Sequence, residues 1–295
     1  MFSHSNKPAR GIIFTISGVV LGLIVGVLIK RTASEANLIT VLFYRFVFSI
    51  PLLLCFCVFL KGKNFLKIEE KKTMLFRLAC GLAGMVFWML SIRNLPLGQA
   101  TALFQSSVLF VTILSPFLLG ELVCRYRWIS VITGIFGVLI LTNPFSQSAS
   151  FALIYGICAA LCGALLSIVL RHLGKSDSAL SVALIYNLLA SIFITLIVLL
   201  VPSQFDSING NVFYELVLLG VITSFSQLFF TGAYHYVDAV VISSLRYLQV
   251  PLAALTGFVI FSETLGINEV LGAAIVVFSC SIISWREVLV KNKAD

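Results

Sequence analysis

Charged residues are scarce in this sequence. Asp, Glu, Lys and Arg make up 11% of its 295 residues, whereas a soluble globular domain carries about 25%. Hydrophobic residues make up 60% of the chain. This composition excludes an ordinary soluble domain and predicts an all-α integral membrane protein, because a helix satisfies its own backbone hydrogen bonds within a bilayer.

Acidic side chains are the scarcer of the two charge types, with 12 Asp and Glu against 20 Lys and Arg. None lies deep within an apolar run, and Glu215 and Asp238 stand near the edges of such runs. Proton-driven carriers commonly use a buried Asp, Glu or His, so proton coupling has no support in this sequence. An exchanger or a facilitator fits at least as well.

Catalytic and metal-ligating groups are also sparse. The three histidines, His4, His172 and His235, lie outside the apolar runs or at their edges. The seven cysteines are scattered, and we interpret them as small buried hydrophobic residues, because no His or carboxylate joins them in a metal-ligand spacing. We expect no cofactor and no metal. A membrane enzyme is disfavoured, since it needs a nucleophile with a base, paired carboxylates or a metal cluster.

Ten apolar runs joined by short connections fill the chain. A helix needs about 20 apolar residues to cross a bilayer core, and the runs approach or exceed that length. We therefore predict ten transmembrane helices, at 11–29, 38–60, 74–92, 96–119, 127–143, 151–170, 180–201, 213–233, 238–261 and 267–285. No stretch resembles a soluble domain.

The basic residues set the predicted orientation. With the N-terminus in the cytoplasm, 15 of the 20 Lys and Arg residues, Arg77 among them, fall on the inner side. Three fall outside: Lys30, Arg31 and Arg93. The positive-inside rule then places both termini in the cytoplasm of a multi-pass protein of the cell inner (cytoplasmic) membrane. Because these charges read as topology signals, we expect no nucleic-acid partner.

The two halves of the chain align at a constant offset of 142 residues. The aligned pairs are Tyr44-Arg45 on Tyr186-Asn187, Phe87-Trp88 on Phe229-Phe230, Gln105 on Tyr247, and Glu121 on Glu263. We predict two five-helix repeats, 11–143 and 151–285. An odd number of helices makes the second repeat enter from the opposite side, so the repeats are inverted, as in many secondary transporters. Substrate sites in such folds lie near the midplane where the repeats meet.

Three stretches carry a resemblance to a known family. They are FYRFVFSIPLLL (43–54), LPLGQATALFQSSVLFVTILSPFLLGE (95–121) and SSLRYLQVPLAALTGFVIFSETL (243–265). Their order and spacing resemble the second, fourth and ninth helices of the drug/metabolite transporter superfamily, in its EamA-type branch of ten helices. The resemblance spans residues 11–285. It implies a carrier that works by alternating access through a central cavity, in a family whose members export amino acids or import S-adenosylmethionine or riboflavin.

The arginine of the third stretch is less usual in that family. Many members have Ser-Tyr-Leu-Glu-Pro where this chain has Arg246-Tyr247-Leu248-Gln249. The arginine form is similar to the S-adenosylmethionine-uptake branch. A match of three residues does not identify a precise substrate, so the identity of the substrate stays open.

Arg246 is the only charged residue between Asp238 and Glu263. It stands eight residues inside the span, roughly 12 Å deep at 1.5 Å per residue. An arginine at that depth costs about 2.5–3.5 kcal/mol on insertion scales. We expect it to face a polar pocket, where Pro251 leaves the carbonyl of Tyr247 free. The alternative is a structural arginine that bonds helix carbonyls or extends towards the membrane surface.

Further polar and aromatic side chains within the spans complete the predicted binding site. Arg45 is either a gate or substrate ligand, or a structural residue of the family pattern. The tyrosines and Trp88 suit flat or cationic ligands, or else they only pack. The predicted substrate-binding set is Arg246, Tyr247, Gln249, Arg45, Tyr44, Trp88, Gln105, Gln227, Tyr186 and Asn187.

The sequence thus predicts a secondary transporter of a small polar metabolite that carries a carboxylate or another anionic group. S-adenosylmethionine and amino-acid-like metabolites are candidate substrates. A channel or facilitator and a non-transport membrane scaffold are the alternatives. The expected partners are the small-molecule substrate and the lipid bilayer, and a homodimer stays open.

Overall fold

The structure is a computed structural model that describes residues 8–61, 66–119, 125–142, 151–173, 176–208, 210–233, 236, 242, 245–264 and 266–291. Within these ranges the regular secondary structure is entirely helical. The helices are α1 (Pro8–Arg31), α2 (Leu38–Lys61), α3 (Lys71–Asn94), α4 (Leu97–Gln105), α5 (Ser107–Leu119), α6 (Arg125–Thr142), α7 (Ala152–Leu173), α8 (Ala179–Leu200), α9 (Asn211–Ala233), α10 (Gln249–Phe261) and α11 (Ile267–Lys291).

The helices have the lengths and surfaces of a membrane protein. In the described part of the chain, seven are long and apolar enough to cross a bilayer, and shorter apolar helices cover 128–141, 249–261 and 267–279. Large apolar side chains remain exposed on the outside of the bundle, including Phe59 and Phe151 at 82% and 83%. Lipid is the medium that suits such a surface.

The fourth predicted span is broken in its middle. Helix α4 ends at Gln105 and α5 starts at Ser107. At Ser106 the backbone N–H donates to the carbonyls of Ala102 and Leu103, both at 3.1 Å, and the hydroxyl donates to Leu103 O at 2.6 Å. The serine thus satisfies carbonyls that a helix break exposes.

The ninth predicted span has a break at the corresponding place. The N–H of Leu248 donates to Leu245 O, and the N–H of Val250 donates to Tyr247 O, both at 3.1 Å. The prediction that Pro251 leaves the Tyr247 carbonyl free is therefore wrong. The turn before α10 tightens to three-residue bonds, so Val250 supplies the donor that proline lacks.

Corresponding helices of the two halves have matching bounds and matching contacts. Adding 142 to the bounds of α5 gives those of α10, and adding it to the start of α6 gives that of α11. Helix α3 packs on α7, while their counterparts α9 and α1 pack on each other. Reciprocal contacts of this kind are those that a two-fold relation between the halves would give.

Carboxylates join the halves at several helix ends. Asp206 accepts from Asn37 Nδ2 at 2.7 Å before α2, and Asp177 accepts from the Glu69 N–H at 2.8 Å before α3. Glu263 accepts from the Leu97 N–H at 2.8 Å and forms an ion pair with Lys30. Glu263 thus bonds a backbone amide at a helix corner; its repeat counterpart, Glu121, lies outside the described residues.

Candidate functional site

The two helix breaks meet at a hydrogen bond between side chain and backbone. Gln105 Nε2 donates to the carbonyl oxygen of Arg246 at 2.8 Å. Gln105 is 4% exposed and stands at the end of α4, which crosses α10 closely. A Cβ added to Gly98 of α4 would lie 2.8 Å from Ala254 of α10. The breaks of both halves therefore form one joined region inside the bundle.

The Arg246 side chain lies over an aromatic ring at this region. Its guanidinium carbon is 5.1 Å from the centroid of Phe230 on α9. Its Nε is buried and has no hydrogen-bond partner among the described residues. Phe230 was not among the predicted site residues, although the repeat alignment places it on Trp88. The arrangement leaves donor capacity on a cation that stands beside an aromatic face.

Helix α1 packs against the region around Arg246 through its glycines. A Cβ added to Gly22 would lie 3.1 Å from Gln249 Nε2, and one added to Gly18 would lie 3.1 Å from the Phe230 ring. Ser226 of α9 donates to Gly18 O at 3.1 Å. Glycine at these positions lets the backbone of α1 approach the polar groups closely.

Tyr247, Trp88 and Tyr44 pack against apolar or aromatic side chains. Tyr247 is 3% exposed and packs among Leu109, Val131 and Val276 of α5, α6 and α11. Trp88 packs on Phe104, with ring centroids 5.9 Å apart. Tyr44 stacks on Phe205, with centroids 6.3 Å apart, within an aromatic cluster between α2, α9 and the loop before α9. None of these packing contacts is made with the Arg246 side chain.

A second polar group lies between α2, α8 and α9. Asn187 Nδ2 donates to Ala183 O at 2.8 Å and to Gln227 Oε1 at 3.3 Å, and its Oδ1 accepts from Ser49 Oγ at 2.8 Å. Asn187 is 0% exposed, so its amide is engaged on both sides. These bonds hold the three helices together and fix the Gln227 side chain.

Next to this group, two buried arginines surround one tyrosine. Arg77 Cζ lies 3.6 Å from the centroid of the Tyr186 ring, and the Tyr186 phenol is also the polar neighbour of the Arg45 guanidinium. Arg45 is 5% exposed and Arg77 is 7% exposed. Nε and Nη1 of both are buried without a hydrogen-bond partner among the described residues.

Arg77 lies deeper in the bundle than the sequence predicts. Counting it with the inner topology charges was wrong, because it stands six residues inside α3 and is buried. One signal was present: the predicted third span, 74–92, already contained it. Its partner Tyr186 reaches α3 because Gly81 leaves room there, since a Cβ added to Gly81 would be 2.8 Å from Tyr186 Cε2.

An apolar cavity of about 360 Å³ lies between the same three helices, α2, α3 and α8. Its lining is almost wholly hydrocarbon. The lining residues are Leu38, Ile39, Leu42, Leu82, Ala83, Val86, Phe87, Phe193, Ile194 and Ile197. The structure thus provides cationic and apolar surfaces on one set of helices.

Comparison with known proteins gives a consistent match over most of the chain. The S-adenosylmethionine uptake transporter of Rickettsia prowazekii is 28% identical over 282 residues, covering 94% of this chain and 93% of that protein. The riboflavin transporter of Vibrio cholerae is 26% identical over 289 residues, covering 97% and 96%. A solved crystal structure has a TM-score of 0.65 at 13% identity, covering 93% of this chain and 96% of that one, which supports the fold.

A family profile matches the chain twice. The profile of the EamA-like transporter family matches residues 9–143 and again residues 150–285. Together these matches cover nearly all of the sequence, and the described helices have the length and apolar surface that a membrane transporter needs. The chain belongs to the EamA-like transporter family, and it is a multi-pass membrane transporter rather than an enzyme.

Proposed function

We propose that this transporter carries a small polar metabolite with an anionic group across the cytoplasmic membrane by alternating access. The observation that carries the proposal is the 2.8 Å bond from Gln105 Nε2 to Arg246 O, which joins two interrupted helices beside a cation. Interrupted helices form the substrate sites of many secondary transporters. A cation there can hold a carboxylate through charge-assisted hydrogen bonds.

The architecture that goes with this function has ten transmembrane helices in two inverted repeats, 11–143 and 151–285, with both termini cytoplasmic. The matching helix bounds and the reciprocal packing of α3 on α7 and α9 on α1 support it. In such a fold one group of helices rocks against the other around a fixed site. The joined breaks of α4–α5 and of the segment before α10 then lie at the pivot.

The proposed substrate class includes S-adenosylmethionine and amino-acid-like metabolites. Relatives named as S-adenosylmethionine uptake and riboflavin transporters support small metabolites with flat ring systems. S-adenosylmethionine combines a carboxylate, a sulfonium cation and an aromatic base. Arg246 suits the carboxylate, and the face of Phe230, 5.1 Å from Arg246 Cζ, suits a cation or a flat base.

Counterflow in liposomes tests the carrier. Purified protein is reconstituted, the vesicles are loaded with unlabelled S-adenosylmethionine, methionine or riboflavin, and entry of the same labelled compound is measured. A carrier gives faster entry into preloaded vesicles than into empty ones, because each return of the site brings solute in. If the labelled compound enters preloaded and empty vesicles at the same rate, the protein is a channel, and alternating access is contradicted.

A further inference from the structure

We infer that Arg45, Arg77 and Tyr186 form an anion-binding site between α2, α3 and α8, separate from Arg246, that takes a carboxylate or phosphate group. Arg246 lies elsewhere, in the segment before α10, over Phe230 of α9. That the anion at this second site belongs to the transported solute rests on the proposed function. The site itself rests on burial, charge and unsatisfied donors.

The charge balance of the three helices favours a bound anion. Arg45 and Arg77 are 5% and 7% exposed and are close enough to repel each other. Helices α2, α3 and α8 contain no Asp or Glu. Two buried cations beside each other without an acidic residue on their own helices are unfavourable in a low-dielectric interior. A bound anion would relieve both the repulsion and the missing charge.

Both arginines keep hydrogen-bond donors without a described acceptor. Arg77 lies over the face of Tyr186, and Arg45 Cζ lies 4.4 Å from the centroid of Phe46. These ring contacts stabilise the cations in part. They do not accept the in-plane N–H groups, and Nε and Nη1 of both arginines have no acceptor in the described part of the chain. Each guanidinium therefore keeps free N–H donors that can form charge-assisted hydrogen bonds to a carboxylate or phosphate oxygen.

The surroundings fix Tyr186 and its neighbours in place. The Tyr186 ring packs against α3 at Gly81 and edge-on against Phe46, with centroids 5.6 Å apart. The next residue, Asn187, is held by bonds to Ser49 and Gln227. A rigid phenol between two guanidinium groups can donate its hydroxyl to the same anion.

The apolar cavity offers space for the remainder of such a ligand. It measures about 360 Å³ and lies between the helices that carry the two arginines. Leu42, which lines it, precedes Arg45 by one turn of α2, and Leu82 follows Gly81 on α3. An anionic group joined to an apolar part would match both surfaces. A solute and a lipid both have this chemistry, so the experiment must separate them.

The test measures the apparent melting temperature of the full-length protein in phosphatidylcholine nanodiscs. Sodium phosphate or sodium acetate is titrated against sodium chloride at equal ionic strength, since binding to the native state raises the melting temperature by mass action. The variants are Arg77→Gln, Arg45→Gln and Tyr186→Phe. The control is Arg125→Gln, which removes an exposed arginine at the start of α6.

We expect phosphate or acetate to raise the melting temperature of the wild type and of the control. Each arginine variant should weaken the anion's apparent affinity about tenfold or more, as expected for the loss of a hydrogen bond to a charged group. If the arginine variants do not fold, Tyr186→Phe carries the test, because it removes only the hydroxyl and should also weaken binding. Equal affinity in the wild type and the variants that fold would overturn the site.

A second arm replaces part of the phosphatidylcholine with phosphatidylglycerol. Stabilisation by this lipid that Arg77→Gln removes assigns the anion site to a lipid headgroup. Stabilisation by neither soluble anion nor lipid would overturn the inference. Counterflow keeps the two proposals apart. Counterflow without Arg77-dependent anion binding would support the carrier and contradict the anion site. Arg77-dependent anion binding without counterflow would support the anion site and contradict the carrier.

Discussion

Gln105 donates its side-chain amide to the backbone carbonyl of Arg246 at 2.8 Å, across 141 residues of sequence. This bond connects the interruption between α4 and α5 with the interruption before α10. Bonds between residues three apart occur at both interruptions, from the Ser106 N–H to Leu103 O and from the Leu248 N–H to Leu245 O. An arginine whose own backbone is held in this way has a defined position, and its guanidinium remains available for a ligand.

The Gln105 bond should matter for transport more than for stability. Gln105→Met removes the donor and should lower the free energy of unfolding by about 0.5–1.5 kcal/mol, as for a typical buried hydrogen bond. Gln99→Met is the matched control, because Gln99 is a buried glutamine of the same helix whose Nε2 donates to Leu141 O at 3.2 Å. Counterflow and thermal denaturation are measured for both. Equal transport losses in the two variants would contradict a special role for Gln105.

The Lys30–Glu263 ion pair should be worth more than its neighbour on the same helix. Its side chains are 16% and 14% exposed, whereas Arg31 in the Arg31–Glu215 pair is 67% exposed. Solvent screens an exposed pair to about 0–1 kcal/mol. A double-mutant cycle with Lys30→Met and Glu263→Gln should give the larger coupling energy, and the same cycle on Arg31 and Glu215 is the control. A coupling no larger than that of the exposed pair would contradict this assignment.

The crossing of α4 and α10 should tolerate no added methyl group. Gly98→Ala places a Cβ 2.8 Å from the Ala254 backbone, and overpacking of this kind costs about 1–3 kcal/mol. Gly163→Ala is the control, because its Cβ would meet Phe104 at an ordinary 3.4 Å. Thermal stability of the purified variants measures the difference. Unchanged stability of Gly98→Ala would contradict the close contact between Gly98 and Ala254.

Topology can be tested by cysteine labelling in intact cells. In a cysteine-free background, Ser207→Cys should react with a membrane-impermeant maleimide from outside, and Lys67→Cys should react only after the cells are opened. Both positions are exposed, so accessibility to the reagent depends on the side of the membrane. Labelling of Lys67→Cys in intact cells would invert the proposed orientation.

Helix positions were predictable because a bilayer permits few alternatives. A chain in lipid must bond its own backbone, so the length of each apolar run predicts a helix, and the bounds of α2 (Leu38–Lys61) match the predicted 38–60 closely. The breaks at Ser106 and before Gln249 were not predicted. Serine and tyrosine also occur within regular helices, so neither residue type indicated a break.

The direction of each side chain was the part that sequence could not supply. Tyr247 and Arg246 are adjacent, yet Tyr247 packs among apolar residues of α5, α6 and α11, while Arg246 lies over Phe230. The rotation of each helix about its axis decides such contacts, and uniformly apolar helices give little information about it. Arg77 was misassigned because a basic residue near the end of a span has the same appearance as a topology signal.

The most direct measurement is counterflow by Arg246 variants in liposomes. Arg246→Ala should remove counterflow while the protein remains folded. Arg246→Lys should retain part of the counterflow, because lysine keeps the charge but cannot form the bidentate hydrogen bonds of a guanidinium group. Arg125→Ala, which changes an exposed arginine, should transport like the wild type. Wild-type counterflow in Arg246→Ala would contradict the claim that the solute meets this cation inside the membrane.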